Sequence, residues 1–497
     1  MKIRCSYIPL ACLFFVFSTL AFAEVNGFGM FNVYFSVDEA LGYQDVRNDL
    51  AEVYAVGCRF ATHYFRDEMS RDENGGRFWF GLADWLEKNP VQAKRLQQWK
   101  RDYGASLEWK LFFYTTYMME AYRQTEGGLK VLIGEMYGMF PSERHDEALR
   151  TFVSAIRLFE AQHCPGTIGG WYTAEEPTGK RYRPAHYQSV VETIQLAEAE
   201  EKLKPLPIYI DISPYGSQKK ITPFLKKADV IMISPDTYIW GRVPPTYVLE
   251  GQFEQIHHAV RSMREHARAA GNFTAKIEVV LQAYDWNPKG PLQPSHINMH
   301  QQVSYALKPG WVDRGTYGKR PRWEAPPDGI WFWWWHDCKS KSKKPGQELV
   351  EKNCWDAGTE GSWVEAIQTE FAHQEKAVLI RGVERWKGEV RLIGDVIIDE
   401  GATLIIEPGT TVKFSTRDHF RGGVDTARCE LIVRGTLVAK GTSQRKIHLT
   451  SDSHNPKLTP KPRKPQSGDW YGIRAEGKSA KLEIEHCEIQ YELVLSH

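Results

Sequence analysis

Residues 131–176 read VLIGEMYGMFPSERHDEALRTFVSAIRLFEAQHCPGTIGGWYTAEE, and their periodicity decides the fold. Val131–Phe140 is a short apolar run of strand length. His145–His163 carries its apolar residues at helical spacing, and Thr167–Glu176 is again strand-like. A strand, a crossover helix and a second strand form the repeating unit of a parallel sheet. Upstream, Gly29–Phe35 and Ala61–Phe65 predict two further strands, with helices over Asp38–Phe60 and Arg77–Thr125. Downstream, strands are predicted at Pro207–Ser213, Asp229–Ser234, Ile277–Tyr284 and Gly329–His336, with helices at Ala185–Glu201 and Gln252–Ala270. Eight strands alternating with helices predict an α/β fold, a (β/α)8 TIM barrel, over residues 24–375. A doubly wound open sheet would want a Gly-rich phosphate turn after its first strand. GxGxxG is absent there, and Asn26-Gly27-Phe28-Gly29 does not open a helix.

Residues 390–497 have a different texture, beyond a linker at 376–389. Val396–Ile398, Thr403–Phe414, Glu430–Ala439, Lys446–Thr450, Asp469–Arg474 and Leu482–Ile489 are short β-branched runs punctuated by glycine. Their recurrence roughly every two dozen residues predicts an all-β solenoid, whose rungs bury their apolar faces only by stacking. DEGATLIIEPGTTVKF at 399–414, LIVRGTLVAKGT at 431–442 and SGDWYGI at 467–473 resemble the right-handed parallel β-helix modules of secreted, pectin-lyase-like proteins. The solenoid runs out at Tyr491–Leu495 without a polar cap, which predicts a partner or further rungs at that end.

The 497 residues carry 63 Lys+Arg against 62 Asp+Glu, a net charge of +1, so no global basic field exists to collect a nucleic acid. Hydrophobic residues at 42% and charged residues at 25% exclude disorder as the dominant state. Lys2 and Arg4, the apolar stretch Tyr7–Phe22 and Ala21-Phe22-Ala23 read as a signal peptide over 1–23. The expected location is therefore secreted or periplasmic, with no membrane span. Of the eight cysteines, Cys338 with Cys354 and Cys429 with Cys487 are candidate pairs, whereas Cys58 and Cys164 read as buried small hydrophobes. No CxxC, HExxH or GxSxG occurs, and His296 and His300, spaced i, i+4, lack a further ligand. No metal and no cofactor are expected.

Barrel active sites gather at the C-terminal ends of the strands. The fourth predicted strand ends Trp171-Tyr172-Thr173-Ala174-Glu175-Glu176-Pro177. The segment GGWYTAEEPTG resembles secreted glycoside-hydrolase-like (β/α)8 barrels. That resemblance implies Glu176 as proton donor, Glu175 as its polar neighbour, and a second acid after the seventh strand. Gln282 stands where such hydrolases place a glutamate, so Asp285 is the nearest acid. Glu135, Asp211 and Asp236 are further strand-end acids; Asp211 reads either as a site acid or as a buried structural one, and Asp236 is in a turn sequence. Trp171, Tyr172, Tyr238, Tyr284, Trp286, Trp333 and Trp335 recur near strand ends and suit stacking on sugar faces, and His63 suits a hydroxyl. The expected function is hydrolysis of a polysaccharide or oligosaccharide by carboxylate acid/base chemistry. The alternative is a non-catalytic glycan-binding or surface-adhesion protein whose barrel site has degenerated.

Overall fold

The computed structural model describes residues 28–31, 50–51, 53–55, 57–62, 90–91, 93–94, 97, 106–178, 182–214, 216–235, 255–282, 296–308, 310–312, 322–333, 363–372, 376–453 and 463–492. All eight predicted barrel strands are among them. They are β1 (Phe28–Phe31), β2 (Phe60–Thr62), β3 (Lys130–Gly134), β4 (Ile168–Glu175), β5 (Ile208–Asp211), β6 (Val230–Ile233) and β7 (Lys276–Gln282). A small antiparallel pair, β8 (Gly310–Val312) and β9 (Arg322–Glu324), precedes the eighth, β10 (Gly329–Trp333). The sheet closes in the order β1-β10-β7-β6-β5-β4-β3-β2, with every neighbouring pair parallel.

The third strand is shorter than predicted. It stops at Gly134, whose φ of 150° lies outside ordinary strand geometry, and the apolar residues that follow form a helical turn, α2 (Met136–Met139). That turn follows α1 (Ser106–Thr125) in chain order. α3 (Asp146–His163), α4 (Pro184–Glu200), α5 (Gln218–Leu225), α6 (Gln255–Ala269), α7 (His296–Leu307) and α8 (Trp363–Ala372) follow.

Strand alternation sorts the side chains into two shells. Ile133, Ile208, Ile210, Ile231, Val279 and Leu281 face outward into the large core shared with the helices. Phe60, Leu132, Tyr172, Tyr209, Val230, Met232, Val280 and Trp331 fill the barrel interior. Three rings meet there: Phe60 and Trp331 centroids lie 5.9 Å apart, and Tyr209 and Trp331 6.3 Å. Gly170 makes this possible, since a β-carbon at that position would stand 2.5 Å from the Tyr209 ring.

The second region consists of three four-stranded parallel sheets. The first contains β11 (Val378–Ile380), β14 (Val396–Ile398), β17 (Glu430–Val433) and β20 (Gly472–Ala475). The second contains β12 (Val383–Trp386), β15 (Thr403–Ile406), β18 (Thr436–Lys440) and β21 (Lys481–Glu485). The third contains β13 (Glu389–Leu392), β16 (Thr411–Phe414), β19 (Ile447–Ser451) and β22 (Cys487–Ile489). Strands three apart in sequence are neighbours, a pattern consistent with a β-helix of four three-stranded turns. Leu404, Ile406, Val412, Phe414, Leu437, Ala439, Ile447 and Leu449 are buried and stack turn on turn. Burial of each large apolar side chain contributes about 1.5–3 kcal/mol. The first turn, Val378–Leu392, begins within the stretch read as linker. Cys429 and Cys487 are free thiols, as are the buried Cys58 and Cys164.

Helix α7 joins the two regions. Its residues Ile297–Ala306 are all buried, polar ones included, because one side packs on the barrel and the other on the first turn of the solenoid. Edge groups of that turn need partners, and α7 supplies them. The Gln301 amide donates to Arg391 O (2.8 Å) and accepts from Ile393 N (2.9 Å), and Ser304 Oγ donates to Ala377 O (3.3 Å). His296 Nδ1 meets Glu384 on β12, and His300 Nδ1 lies 2.8 Å from Glu370 Oε1 on α8. The i, i+4 histidines therefore serve this seam, each against a carboxylate.

Candidate active site

Three acids reach the C-terminal ends of adjacent strands. Along β5, Tyr209 and Asp211 share the inner face, and Asp211 is buried. On β4, Tyr172 is also inner, but the pairing with β5 shifts register between Tyr172 and Ala174. This irregularity adds one residue and reverses the alternation beyond it. Glu175 is thereby brought opposite Asp211, on the inner side and half-buried. Glu176 follows in a left-handed conformation, φ 41°, and its side chain is exposed. Its backbone N–H donates to Asp211 O (3.0 Å), which ties the two strand ends together.

Glu135, immediately after β3, completes the group. Its Oε1 accepts the Glu175 backbone N–H at 3.1 Å and the Tyr182 hydroxyl at 2.6 Å. Tyr182 stacks on Tyr137 of α2, with centroids 3.9 Å apart and planes 13° from parallel. Tyr137 Oη in turn accepts the Arg183 N–H (3.1 Å). Gly138 leaves room for the carboxylate, because a β-carbon there would lie 2.9 Å from Glu135 Oε2. The Tyr182 phenol is held far above its ordinary range, first by burial, then by the bond to Glu135 and the charges of Glu135 and Glu175. It therefore remains a hydrogen-bond donor to the cluster. Glu135 was legible as a strand-end acid, whereas Tyr182 carries no strand-end signal and was not.

The remaining expected site residues separate. Tyr172 is fully buried in the barrel interior beneath the acids. Trp171 points the opposite way, and its indole N–H donates to Glu198 Oε1 on α4 at 3.0 Å. Glu198 also accepts Leu206 N (3.2 Å) and pairs with Arg157 of α3 (3.2 Å). Trp171 is thus part of the strand–helix packing and does not border the acids, a correction to the expected rim. His63, Asp236, Tyr238, Tyr284, Asp285, Trp286 and Trp335 lie outside the described residues, as do the 1–23 segment, Cys338 and Cys354. The side chains of Gln282 and Trp333, the last residues of β7 and β10, do as well.

A fourth interior acid escaped the sequence reading. Glu278 on β7 is buried, and its Oε2 accepts the Trp331 indole N–H at 2.6 Å. Burial pushes its pKa from 4.5 up to about 8, against the pull of the Trp331 bond and Lys276. A carboxyl whose folded value is raised contributes stability that is complete below its unfolded value and is lost as pH rises through the folded one. Between pH 4.5 and about 8 the barrel should therefore lose stability with rising pH, at a slope of up to about 1.4 kcal/mol per unit. Glu278→Gln should remove that slope. Denaturant midpoints of both proteins across this window measure the difference, and identical slopes would contradict a neutral Glu278.

No family model matches the chain, and no curated protein matches it. A GH18 chitinase from Pseudoalteromonas aurantia superposes with a TM-score of 0.36 at 12% identity, covering 69% of this chain and 100% of that one. Endoglucanase Cel5A from Pseudomonas stutzeri gives 0.37 at 12% identity, covering 67% and 87%. Tryptophan synthase from M. tuberculosis gives 0.30 at 9% identity, covering 64% and 86%.

Proposed function

We propose that the chain is a glycoside-hydrolase-like enzyme acting on a polysaccharide or oligosaccharide, with Glu175 as proton donor and Glu135 as the opposing carboxylate. The observation that carries this reading is the Glu135 Oε1 junction. It locks the ends of β3 and β4 together through the Glu175 N–H and adds a phenol donor from Tyr182. Two carboxylates held on neighbouring strand ends, above an apolar barrel interior, are the groups that acid/base cleavage of a glycosidic bond needs. Glu175 would give its proton to the glycosidic oxygen as the C–O bond breaks. Glu135 would then either attack the sugar carbon itself or take a proton from the water that does. Asp211, in register with Glu175, completes the polar wall.

Asp285 belongs to this proposal as the alternative base or nucleophile, and the aromatic residues Tyr238, Tyr284, Trp286, Trp333 and Trp335 belong to it as the substrate side, with His63 and Asp236. Secretion or a periplasmic location after removal of residues 1–23, and a right-handed winding of the solenoid, belong to it too. One observation favours the second reading, glycan binding without turnover: Glu176, the expected donor, is exposed. A panel of soluble polysaccharides, assayed for new reducing ends and for binding, separates the two. New ends support hydrolysis, and binding with no new ends selects the adhesion reading.

A further inference from the structure

Between β16 and β17 the chain leaves the solenoid in an excursion over residues 415–429 that leans on the barrel. The His419 and Phe420 rings meet Tyr305 of α7 at 5.8 and 6.1 Å, and Lys308 Nζ lies 5.2 Å over the Phe420 ring. Its base is built on carboxylates. Asp418 accepts Phe420 N on Oδ1 (2.8 Å) and Gly422 N on Oδ2 (2.7 Å). Glu430 Oε1 accepts Val424 N and Asp425 N (2.6 and 2.8 Å), and its Oε2 pairs with Arg474 Nε at 2.8 Å. Asp395 accepts only Glu430 N, on Oδ1 (2.7 Å). Its Oδ2 is fully buried with no hydrogen-bond partner, directly beneath Gly422 and Gly423: β-carbons there would lie 2.9 and 2.7 Å away.

These donor sets divide one proton between two acids. Burial raises Asp418 to about 7, and the N–H groups on its two oxygens hold back that rise, so it gives up its proton first. Asp395, with one bare buried oxygen, is stabilised as the acid. Of the charged groups nearby, Glu430 adds to the rise of Asp395, and Arg474 offsets it only in part. Arg474 is already paired with Glu430, and Arg391 with Asp452 at 2.5 Å. The buried Cys429 thiol is itself pushed up, first by burial and then by the charges of Asp418 and Asp395. Lys376 presents its carbonyl oxygen toward Gly422.

We propose that the 415–429 excursion is a proton-operated latch between solenoid and barrel: it lies against α7 while Asp395 holds a proton on Oδ2 and lifts when that proton leaves. Burial and the neighbouring Asp418 charge raise Asp395 above the ordinary carboxylate range, so the latch is closed at low and neutral pH and opens on the alkaline side. Loss of the proton adds a second anion beside Asp418 under Gly422–Gly423, and residues 421–428, exposed or half-buried, are the part of the excursion that can give.

Amide hydrogen exchange on the full chain tests this, with rates corrected for the intrinsic effect of pH. Protection of the N–H groups of Phe420, Gly422, Val424 and Asp425 should fall by about tenfold or more between pH 6 and pH 10. Thr403–Phe414 should keep its protection. Asp395→Asn, which keeps the shape of the neutral acid, should hold the excursion closed across the range. An equal fall in D395N overturns the proposal. So does a flat profile in the wild-type protein, or a loss shared by Thr403–Phe414; these two results decide the matter even if D395N does not fold.

Discussion

Glu175→Gln should lower turnover of a cleaved glycan by about 10³-fold, within the span that a positioned proton donor contributes. The amide keeps the shape of the acid and cannot donate the proton, so substrate binding and thermal stability should change little. Glu135→Gln should be equally damaging, because it removes the opposing charge. It also turns the acceptor of the Glu175 N–H and the Tyr182 hydroxyl into a weaker one. Glu176→Gln, at an exposed position, should cost no more than a few-fold. Initial rates of reducing-end release for the three variants check the order. An inactive E176Q beside an active E175Q would return the donor role to the residue before Pro177.

Trp470→Ala should destabilise the solenoid by about 3–5 kcal/mol, the usual cost of emptying a buried tryptophan site. The indole lies flat on Phe414, with centroids 3.8 Å apart and planes 8° from parallel. Its N–H donates to Gln490 O at 2.8 Å. One side chain thus links the second turn of the solenoid to the strand end that closes the fourth. Removing it opens a cavity and breaks a contact that spans more than one turn. Hydrogen exchange should show the loss in β19, β20 and β22 first, with the barrel strands unchanged. A midpoint within 1 kcal/mol of the wild type, by the same cavity argument, would mean the stack collapses onto the gap.

The alternation of apolar runs and amphipathic helices was enough to place all eight barrel strands, because a buried parallel strand is a short apolar run whatever its neighbours are. The third strand ran long in the reading because GEMYGM is as apolar as the strand it follows, and periodicity cannot separate a buried turn of helix from a buried strand. The β4 irregularity was not legible at all. Strict alternation from Tyr172 would turn Ala174 and Glu176 inward, and one extra residue hands that place to Glu175. Trp171 and Tyr172, adjacent in sequence, fall on opposite faces for the same geometric reason: the first binds Glu198 and the second fills the barrel. The first solenoid turn was hidden because Glu384 and Arg391 look like surface charges. Each meets a partner distant in sequence, His296 for one and Asp452 for the other. The burial of the polar residues of α7 was not legible either, since nothing local announces that a second region will cover them.

The most direct test of the proposed chemistry is a crystal structure of E175Q with an oligosaccharide drawn from whichever polysaccharide binds. The glycosidic oxygen should lie within hydrogen-bond reach of the residue 175 amide, about 3 Å, with Glu135 facing the adjoining sugar carbon. A sugar bound away from both residues, together with a wild-type protein that releases no product, would contradict the assignment.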